Sequence, residues 1–485
     1  MILKKLIEGL EIISVHGSLD LEIENIAYDS RKAKSGSLFV CIEGFMTDGH
    51  KFFSSAVENG ARAFLVQKEV SVPEGVTVIK VKDTRFALAF LSDRLFDHPS
   101  GKFKLIGVTG TKGKTTITHM IKSILEASGQ IVGLVGTLGS RIGEQAIHTE
   151  RTTPESYDLQ ALFAEMADKR VDSTVMEVSS QGLELHRVSC CEYNVGVFTN
   201  LTQDHISPNE HSSMEEYFNA KLKLFSMCKT GLVNVDSRYG EEVVRKAPCK
   251  LFTYGIDNEA DIKAENIIAH QDSVEFEAVT PWGRQNVKVS IPGKFSIYNS
   301  LAAIGVSCIM GVPFESIARG LENVTVPGRA EVIATGQKYT VITDYAHTPD
   351  SLENILNTFK VYAEGRLISL FGCGGDRDRS KRPLMGEISG RIADFTIITS
   401  DNPRTEEPQA IIDEIEAGMQ KTQGKYLKIM DRREAIKYAL KNAQPKDIII
   451  LAGKGHETYQ MFKDKTIHFD EREVVREILD ELGIQ

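Results

Sequence analysis

Residues 105–116 read Leu-Ile-Gly-Val-Thr-Gly-Thr-Lys-Gly-Lys-Thr-Thr, an apolar run that breaks into a glycine-rich turn and closes on Lys-Thr. Such a run commits the chain to a strand, a tight loop and a helix in succession, the unit from which parallel α/β sheets are wound. The turn is also a phosphate cradle. Backbone N–H groups freed by Gly110 and Gly113 can wrap an anion, and Lys114 can neutralise it. The Thr115 hydroxyl can ligate Mg2+, and the following helix adds the positive end of its dipole. Val108 stands where the general G-x-x-x-x-G-K-[ST] pattern has its first glycine, so the loop is of the T-G-T-x-G-K-T form. A plain strand-to-helix connection can use the same glycines, but the Lys-Thr ending points to a nucleotide.

A chain of 485 residues exceeds what one core organises, so two to four domains are expected. The net charge of -10 argues against nucleic acid or an anionic membrane as partner, since either needs a basic field. An anionic substrate must therefore meet a local basic pocket. The 7 cysteines are odd in number and include no C-x-x-C, which fits a reducing cytoplasm better than a disulfide framework or a zinc site. Charges interrupt the apolar residues of the first ten positions, and no window reaches the length of a membrane span.

Short strands and helices are expected over 1–100, ending near the polar stretch Asp97 to Lys102. Over 101–327, apolar runs at Leu105–Val108, Ile131–Val135, Ser173–Val178 and Val195–Thr199 alternate with helical periodicity, the pattern of a mostly parallel sheet. After Val326-Pro-Gly-Arg329 a second series begins, with strands expected at Thr340–Thr343, Leu367–Leu370, Phe395–Thr399 and Ile448–Leu451. Polar clusters follow these strands directly, where open parallel sheets bind ligands.

Several of those clusters carry chemistry. Glu177 closes the apolar run Thr174-Val-Met-Glu; it reads either as a solvated strand-end carboxylate or as the Mg2+-linked acid beside a phosphate loop. His205 reads either as a structural hydrogen-bonder or as a metal ligand. Met214, Phe218, Lys221 and Phe225 fall on one helical face, so Lys221 lies on an apolar stripe. It is either a snorkelling lysine or one of lowered pKa, able to act as a nucleophile or to take up CO2 as a carbamate. Arg404 after Asp401-Asn-Pro, and Arg377 between two aspartates, place guanidiniums on strand-end loops where they can grip a carboxylate. Glu457 can bind an ammonium. Cationic and anionic hooks together suit an amino acid, although surface ion pairs use the same residue types.

In order along the chain, these motifs resemble the Mur ligase family, and within it the E-type branch, which adds the third residue of the peptidoglycan stem peptide. The resemblance rests on Asp29-Ser-Arg31, Thr109 to Thr116, Thr152-Thr-Pro154, Met176 to Ser180, His186-Arg187, Thr199-Asn200, Ala220-Lys221, Asn299, Pro327-Gly-Arg329, Asp344 to Asp350, Asp376-Arg-Asp378, Asp401 to Arg404 and Gly453 to Glu457. It implies three α/β domains: a UDP-binding domain over 1–100, a P-loop parallel-sheet ATPase domain over 101–327, and a Rossmann-like amino-acid-binding domain over 328–485.

The implied reaction uses ATP and Mg2+ to activate the D-Glu carboxylate of a UDP-N-acetylmuramoyl dipeptide as an acyl phosphate, which an incoming amine attacks. Gly110, Thr111, Lys112, Gly113, Lys114, Thr115 and Thr116, with Asn299, Arg329 and Asp344, match nucleotide positions. Thr115, Glu177, His205 and Lys221, the last as a carbamate, match the Mg2+ positions. Lys114, Lys221 and His205 are the expected catalytic set. Ser30, Thr152, Thr153, Ser179 and Arg187 match positions for the UDP-dipeptide. Asp401, Asn402, Pro403 and Arg404, with Arg377, Gly453 and Glu457, match positions for the amino acid. In this family the Asp-Asn-Pro-Arg form goes with meso-diaminopimelate, whose distal carboxylate Arg404 and Arg377 could grip.

The sequence departs from the family pattern at Lys112, which replaces an asparagine, at Leu185, and in the segment 204–211, two residues longer than usual, which leaves open which of His205 and His211 does what. The same chemistry with L-lysine or another acceptor is the nearest rival reading, and a P-loop GTPase switch the rival from another class. No N-K-x-D motif follows the loop. A cytoplasmic monomer acting on small molecules is expected.

Overall fold

A computed structural model describes residues 1–44, 47–202, 211–270 and 273–483; His205 lies outside the described residues. The chain divides into two compact units. One comprises Met1–Lys263, Val279–Gly283 and Tyr298–Gly320; the other comprises Ala264–Ala278, Arg284–Ile297 and Leu321–Gln485.

The first unit opens with a five-stranded sheet ordered Ile12–His16, Thr77–Val81, Ala63–Val66, Ser37–Val40, Asn25–Ala27. Its pairings are parallel except at Ile12–His16. Ser37–Val40 and Ala63–Val66 are buried along their whole length, as strands covered on both faces must be. Next comes the larger sheet, in which Lys104–Thr109 lies between Ser173–Glu177 and Tyr193–Phe198, parallel to both. Val132–Gly136 continues on one side and Cys228–Asn234 on the other. The helix Lys114–Ala127 carries the chain from Lys104–Thr109 to Val132–Gly136, Ser173–Glu177 fills the place between them, and Tyr193–Phe198 and Cys228–Asn234 build the opposite side. The glycine-rich loop therefore opens at the point where strand order reverses, the crevice in which doubly wound sheets bind ligands.

The second unit carries a six-stranded sheet ordered Glu331–Ile333, Thr340–Asp344, Ile448–Ala452, Leu367–Phe371, Phe395–Ile398, Tyr426–Lys428. Only Glu331–Ile333 runs antiparallel. The isoleucine-rich Ile448–Ala452 is buried throughout and packs centrally, so its carboxyl end sits between those of Thr340–Asp344 and Leu367–Phe371. The expected strands occur to within about two residues, a margin normal for element ends. Among the described residues, no helix is long and apolar enough to cross a membrane.

Candidate functional site

In the first unit the strand Lys104–Thr109 ends in a loop that only glycine can follow at two points. Gly110 has φ +149°, and a Cβ there would stand 1.9 Å from Thr199 Oγ1. Gly113 has φ +88° and is the N-cap of the helix Lys114–Ala127; a Cβ there would stand 2.7 Å from Asn299 Oδ1. The loop is braced from the next strand end: the Lys112 N–H donates to Asn200 Oδ1 at 2.9 Å, and the Lys112 carbonyl accepts from Thr199 Oγ1 at 2.7 Å. The backbone of Lys112 is thus fixed on both its N–H and its carbonyl. The Thr111 hydroxyl meets the Tyr217 hydroxyl at 3.1 Å. Thr116 is buried at the start of the same helix.

Glu177 is 1% exposed, which removes the solvated reading. A buried carboxylate needs partners, and it has them. Oε1 accepts from Thr115 Oγ1 at 3.0 Å and from the Thr137 N–H at 2.9 Å; Oε2 accepts from Thr137 Oγ1 at 3.1 Å. Thr137 also meets Thr152 Oγ1 at 3.0 Å. Thr153 Oγ1 donates to the Glu177 carbonyl at 2.9 Å and accepts from the Ser179 N–H at 3.0 Å. Thr152, Thr153 and Ser179 are therefore one hydrogen-bonded group with Glu177. The sequence reading missed Thr137, whose signal was its place just past the end of Val132–Gly136.

Arg187 joins this group through Nη1, which donates to the Thr153 carbonyl at 3.4 Å. Burial lowers the guanidinium below its usual value, opposed by Glu155. Ser30 stands in the short turn Ser30–Lys32, half-buried, with its carbonyl accepting from Asn59 Nδ2 at 2.8 Å.

The helix Met214–Leu222, N-capped by the Ser213 hydroxyl, which accepts from the Glu216 N–H, carries Lys221. Lys221 is 1% exposed, so it does not snorkel. Its Nζ donates to the Gly110 carbonyl at 3.0 Å and lies 4.5 Å from the centre of the Tyr217 ring. Lys114 Nζ donates to that same carbonyl at 2.9 Å, and to the Thr111 carbonyl at 3.0 Å. Two ammonium groups thus share one acceptor on the loop. Phe225 lies beyond the helix, on the 3-10 turn Lys223–Ser226, and is buried there all the same. His211 is buried, with Nε2 at 2.9 Å from Ser180 Oγ.

In the second unit, Asp344 Oδ2 accepts from the Ala330 N–H at 2.7 Å; burial raises its pKa, and Arg329 opposes the shift. The Arg329 guanidinium lies 4.7 Å from the centre of the Tyr345 ring. Arg404 has φ +51°, a left-handed conformation that costs a non-glycine residue roughly 1–2 kcal/mol. It is held there by its N–H on the Met461 carbonyl at 3.1 Å and by Nη1 on the Gly375 carbonyl at 2.8 Å. A Cβ built on Gly374 would stand 2.8 Å from Arg404 Nη1 and 3.8 Å from Arg377 Cγ, so the two arginines flank one glycine. The aspartates beside Arg377 are engaged elsewhere, Asp376 by Thr405 and Asp378 by Ser380. Arg377 itself is exposed.

Asn402 Nδ2 donates to Glu457 Oε2 at 2.8 Å, and Asn402 Oδ1 accepts from Lys454 Nζ at 3.1 Å. Burial and Asp401 raise the Glu457 carboxyl above its ordinary value, while burial lowers the Lys454 ammonium. Gly453 has φ +118°, and a Cβ there would stand 2.6 Å from Asp401 Oδ2. Pro403 is buried between Asn402 and Arg404. The expected acceptor residues are thus brought to adjoining strand ends, with Lys454 as a member the sequence reading did not name.

Three family models match the chain: the Mur ligase family catalytic domain over 22–95, the Mur ligase middle domain over 108–307, and the Mur ligase glutamate ligase domain over 328–455. A Clostridium botulinum protein named UDP-N-acetylmuramoyl-L-alanyl-D-glutamate--2,6-diaminopimelate ligase is 49% identical over 95% of this chain and 96% of its own. A protein of the same name from Caldanaerobacter subterraneus subsp. tengcongensis is 49% identical over 96% and 97%. A solved structure of a ligase of that name superimposes with a TM-score of 0.73 at 30% identity, over 100% of this chain and 99% of its own. MurF from Acinetobacter baumannii shares the fold, with a TM-score of 0.66 at 20% identity over 99% and 98%. With the glycine-rich loop, the buried Glu177 and Lys221, and three matched domains in order along its length, this chain belongs to the Mur ligase family.

Proposed function

We propose that the chain is an ATP-dependent, ADP-forming amide ligase that joins meso-diaminopimelate to UDP-N-acetylmuramoyl-L-alanyl-D-glutamate in cytoplasmic peptidoglycan precursor synthesis. The names of the near-full-length relatives support the reaction. One observation carries the acceptor: the strained Arg404, flanking Gly374 with Arg377, lies in the same unit as the Asn402–Glu457 pair. Diaminopimelate offers a carboxylate to the guanidiniums. Lysine offers no second carboxylate and would leave Arg404 with only its carbonyl partner.

The residues fit the groups this reaction needs. Bound ATP would supply the phosphoryl group that activates the D-Glu carboxylate, and Mg2+ would balance phosphate charge. Gly110 and Gly113 let the loop turn closely past Thr199 and Asn299, and Lys114 and Thr116 stand at the N-terminus of the helix that follows, where an anion is favoured. Among the described residues, no group of three or more His, Cys, Asp or Glu has metal-binding spacing. The Thr115 hydroxyl and Glu177 carboxylate, 3.0 Å apart, are a hard oxygen pair suited to Mg2+. His205 and Lys221 are the remaining proposed ligands. The burial of Lys221, and the acceptor it shares with Lys114, support its carriage of a carbamate, whose negative charge would lie beside the Lys114 ammonium.

Asn299, Arg329 and Asp344 are assigned to the nucleotide; Ser30, Thr152, Thr153, Ser179 and Arg187 to the UDP-dipeptide; Asp401 to Arg404, Arg377, Gly453 and Glu457 to the amino acid. The domains are taken as 1–100, 101–327 and 328–485, and the working unit as a monomer. The free state of all the cysteines fits the cytoplasm. The test is ADP release from purified protein with ATP, Mg2+ and the UDP-dipeptide, comparing meso-diaminopimelate with L-lysine. Turnover confined to diaminopimelate is expected. Turnover with lysine would overturn the acceptor assignment alone, and silence with both would overturn the ligase reading.

A further inference from the structure

One buried ion pair ties together three strand ends of the second unit. Arg432 and Glu471 are each the first residue of a helix, Arg432–Lys441 and Glu471–Glu481, capped by Asp431 and Asp470. Their exposures are 1% and 0%. Glu471 Oε1 accepts from Arg432 Nε at 2.9 Å and from Nη2 at 2.7 Å. The guanidinium also reaches main chain: Nη2 donates to the Ala452 carbonyl at 2.9 Å, and Nη1 to the Ser400 carbonyl at 3.4 Å. On the other side, Thr343 Oγ1 donates to Glu471 Oε2 at 2.6 Å. Thr343, Ser400 and Ala452 each directly precede a residue assigned above: Asp344, Asp401 and Gly453.

Removing two charges from water costs several kcal/mol per ion, so such a pair is poor evidence of added stability. What it supplies is spacing. Ile448–Ala452 and Phe395–Ile398 are not neighbours in the sheet, because Leu367–Phe371 lies between them. No backbone ladder joins Ala452 to Ser400; the Arg432 fork does. The loops that leave these carbonyls then meet again above, through Asn402 with Glu457 and through the close approach of Asp401 to Gly453. A small change in strand spacing would separate those groups.

We propose that the Arg432–Glu471 pair positions the acceptor site, setting the distance between the Asp401–Arg404 and Gly453–Glu457 loops and hence the affinity for the amino acid, which neither residue touches. The proposal rests on the assignment of those loops to the acceptor.

Two variants of the full chain test it. Arg432→Lys keeps the charge but lacks the fork that spans two carbonyls. The double variant Arg432→Met with Glu471→Leu replaces both charges by apolar groups, an exchange that buried pairs tolerate in stability. The readouts are kcat, the KM for each of the three substrates, and the acyl phosphate formed without amino acid, trapped by hydroxylamine as a hydroxamate. Both variants are expected to raise the amino-acid KM roughly tenfold or more. The other two KM values, kcat and the hydroxamate yield should stay within about threefold of wild type.

A role in folding alone would lower the active fraction, and so kcat, without moving one KM selectively. A folded variant, judged by circular dichroism, with an unchanged amino-acid KM would overturn the proposal; so would an equal rise in all three KM values. The double variant carries the same reading where Arg432→Lys does not fold. Wild-type protein that ignores diaminopimelate would refute the substrate reading, whereas the variant-to-wild-type ratio on the amino acid it does use reports on the pair alone.

Discussion

At Arg404 two features coincide: a left-handed backbone that disfavours any side chain, and a guanidinium held by a backbone carbonyl rather than a carboxylate. Strain of that kind persists where the surroundings over-determine it. Arg404→Lys would keep the charge and lose the planar fork, so kcat/KM for diaminopimelate should fall about a hundredfold, equivalent to roughly 2–3 kcal/mol. The KM for ATP should stay near wild type. An unchanged kcat/KM would remove Arg404 from acceptor recognition. Lys221 shows how far residue types reach by themselves. Periodicity placed it on an apolar stripe and left snorkelling open, but only the packed helix shows its Nζ turned inward to the Gly110 carbonyl. Glu177 is the same case, since its burial became evident only with Thr115 and Thr137 around it.

Among the elements, the helix Met214–Leu222 is one that its own sequence does not sustain alone. It spans 9 residues, too few to be stable alone, and its N-terminus depends on the Ser213 hydroxyl. Ser213→Ala should cost about 1 kcal/mol, read as a lower urea midpoint. Because this helix carries Lys221, amide exchange should quicken along it more than along Lys114–Ala127, which Gly113 caps without a side chain. Equal exchange in the two helices would argue against a local weak point. The strands were legible because buried parallel strands read as unbroken apolar runs. Their order was not, for a run such as Ile448–Ala452 carries no mark of its neighbours. Its insertion between Thr340–Asp344 and Leu367–Phe371 places Gly453 beside Asp401.

For the molecule as a whole, His456 predicts an acid limit. Burial, aided by Arg329, Arg472 and His347, lowers its pKa from 6.5 to about 4. Between those values the unfolded chain binds a proton that the folded chain refuses, so the contribution is complete above pH 6.5 and lost as pH falls toward 4. The loss approaches ~3 kcal/mol. His456→Gln should flatten the fall of the urea midpoint over that window, and a slope equal to wild type would refute the assignment. The motifs from Asp29 to Glu457, read in order, were enough to identify the family and the reaction class, because a phosphate loop, strand-end carboxylates and a guanidinium tetrapeptide each demand fixed residue types at short spacing. Which groups meet was decided by tertiary structure alone. Lys221 reaches Gly110 across 111 residues, and Arg432 joins Ser400 to Ala452 across an intervening strand. Contacts of that separation depend on strand order and helix docking, which minimise buried unpaired charge over the whole chain and leave no local signature.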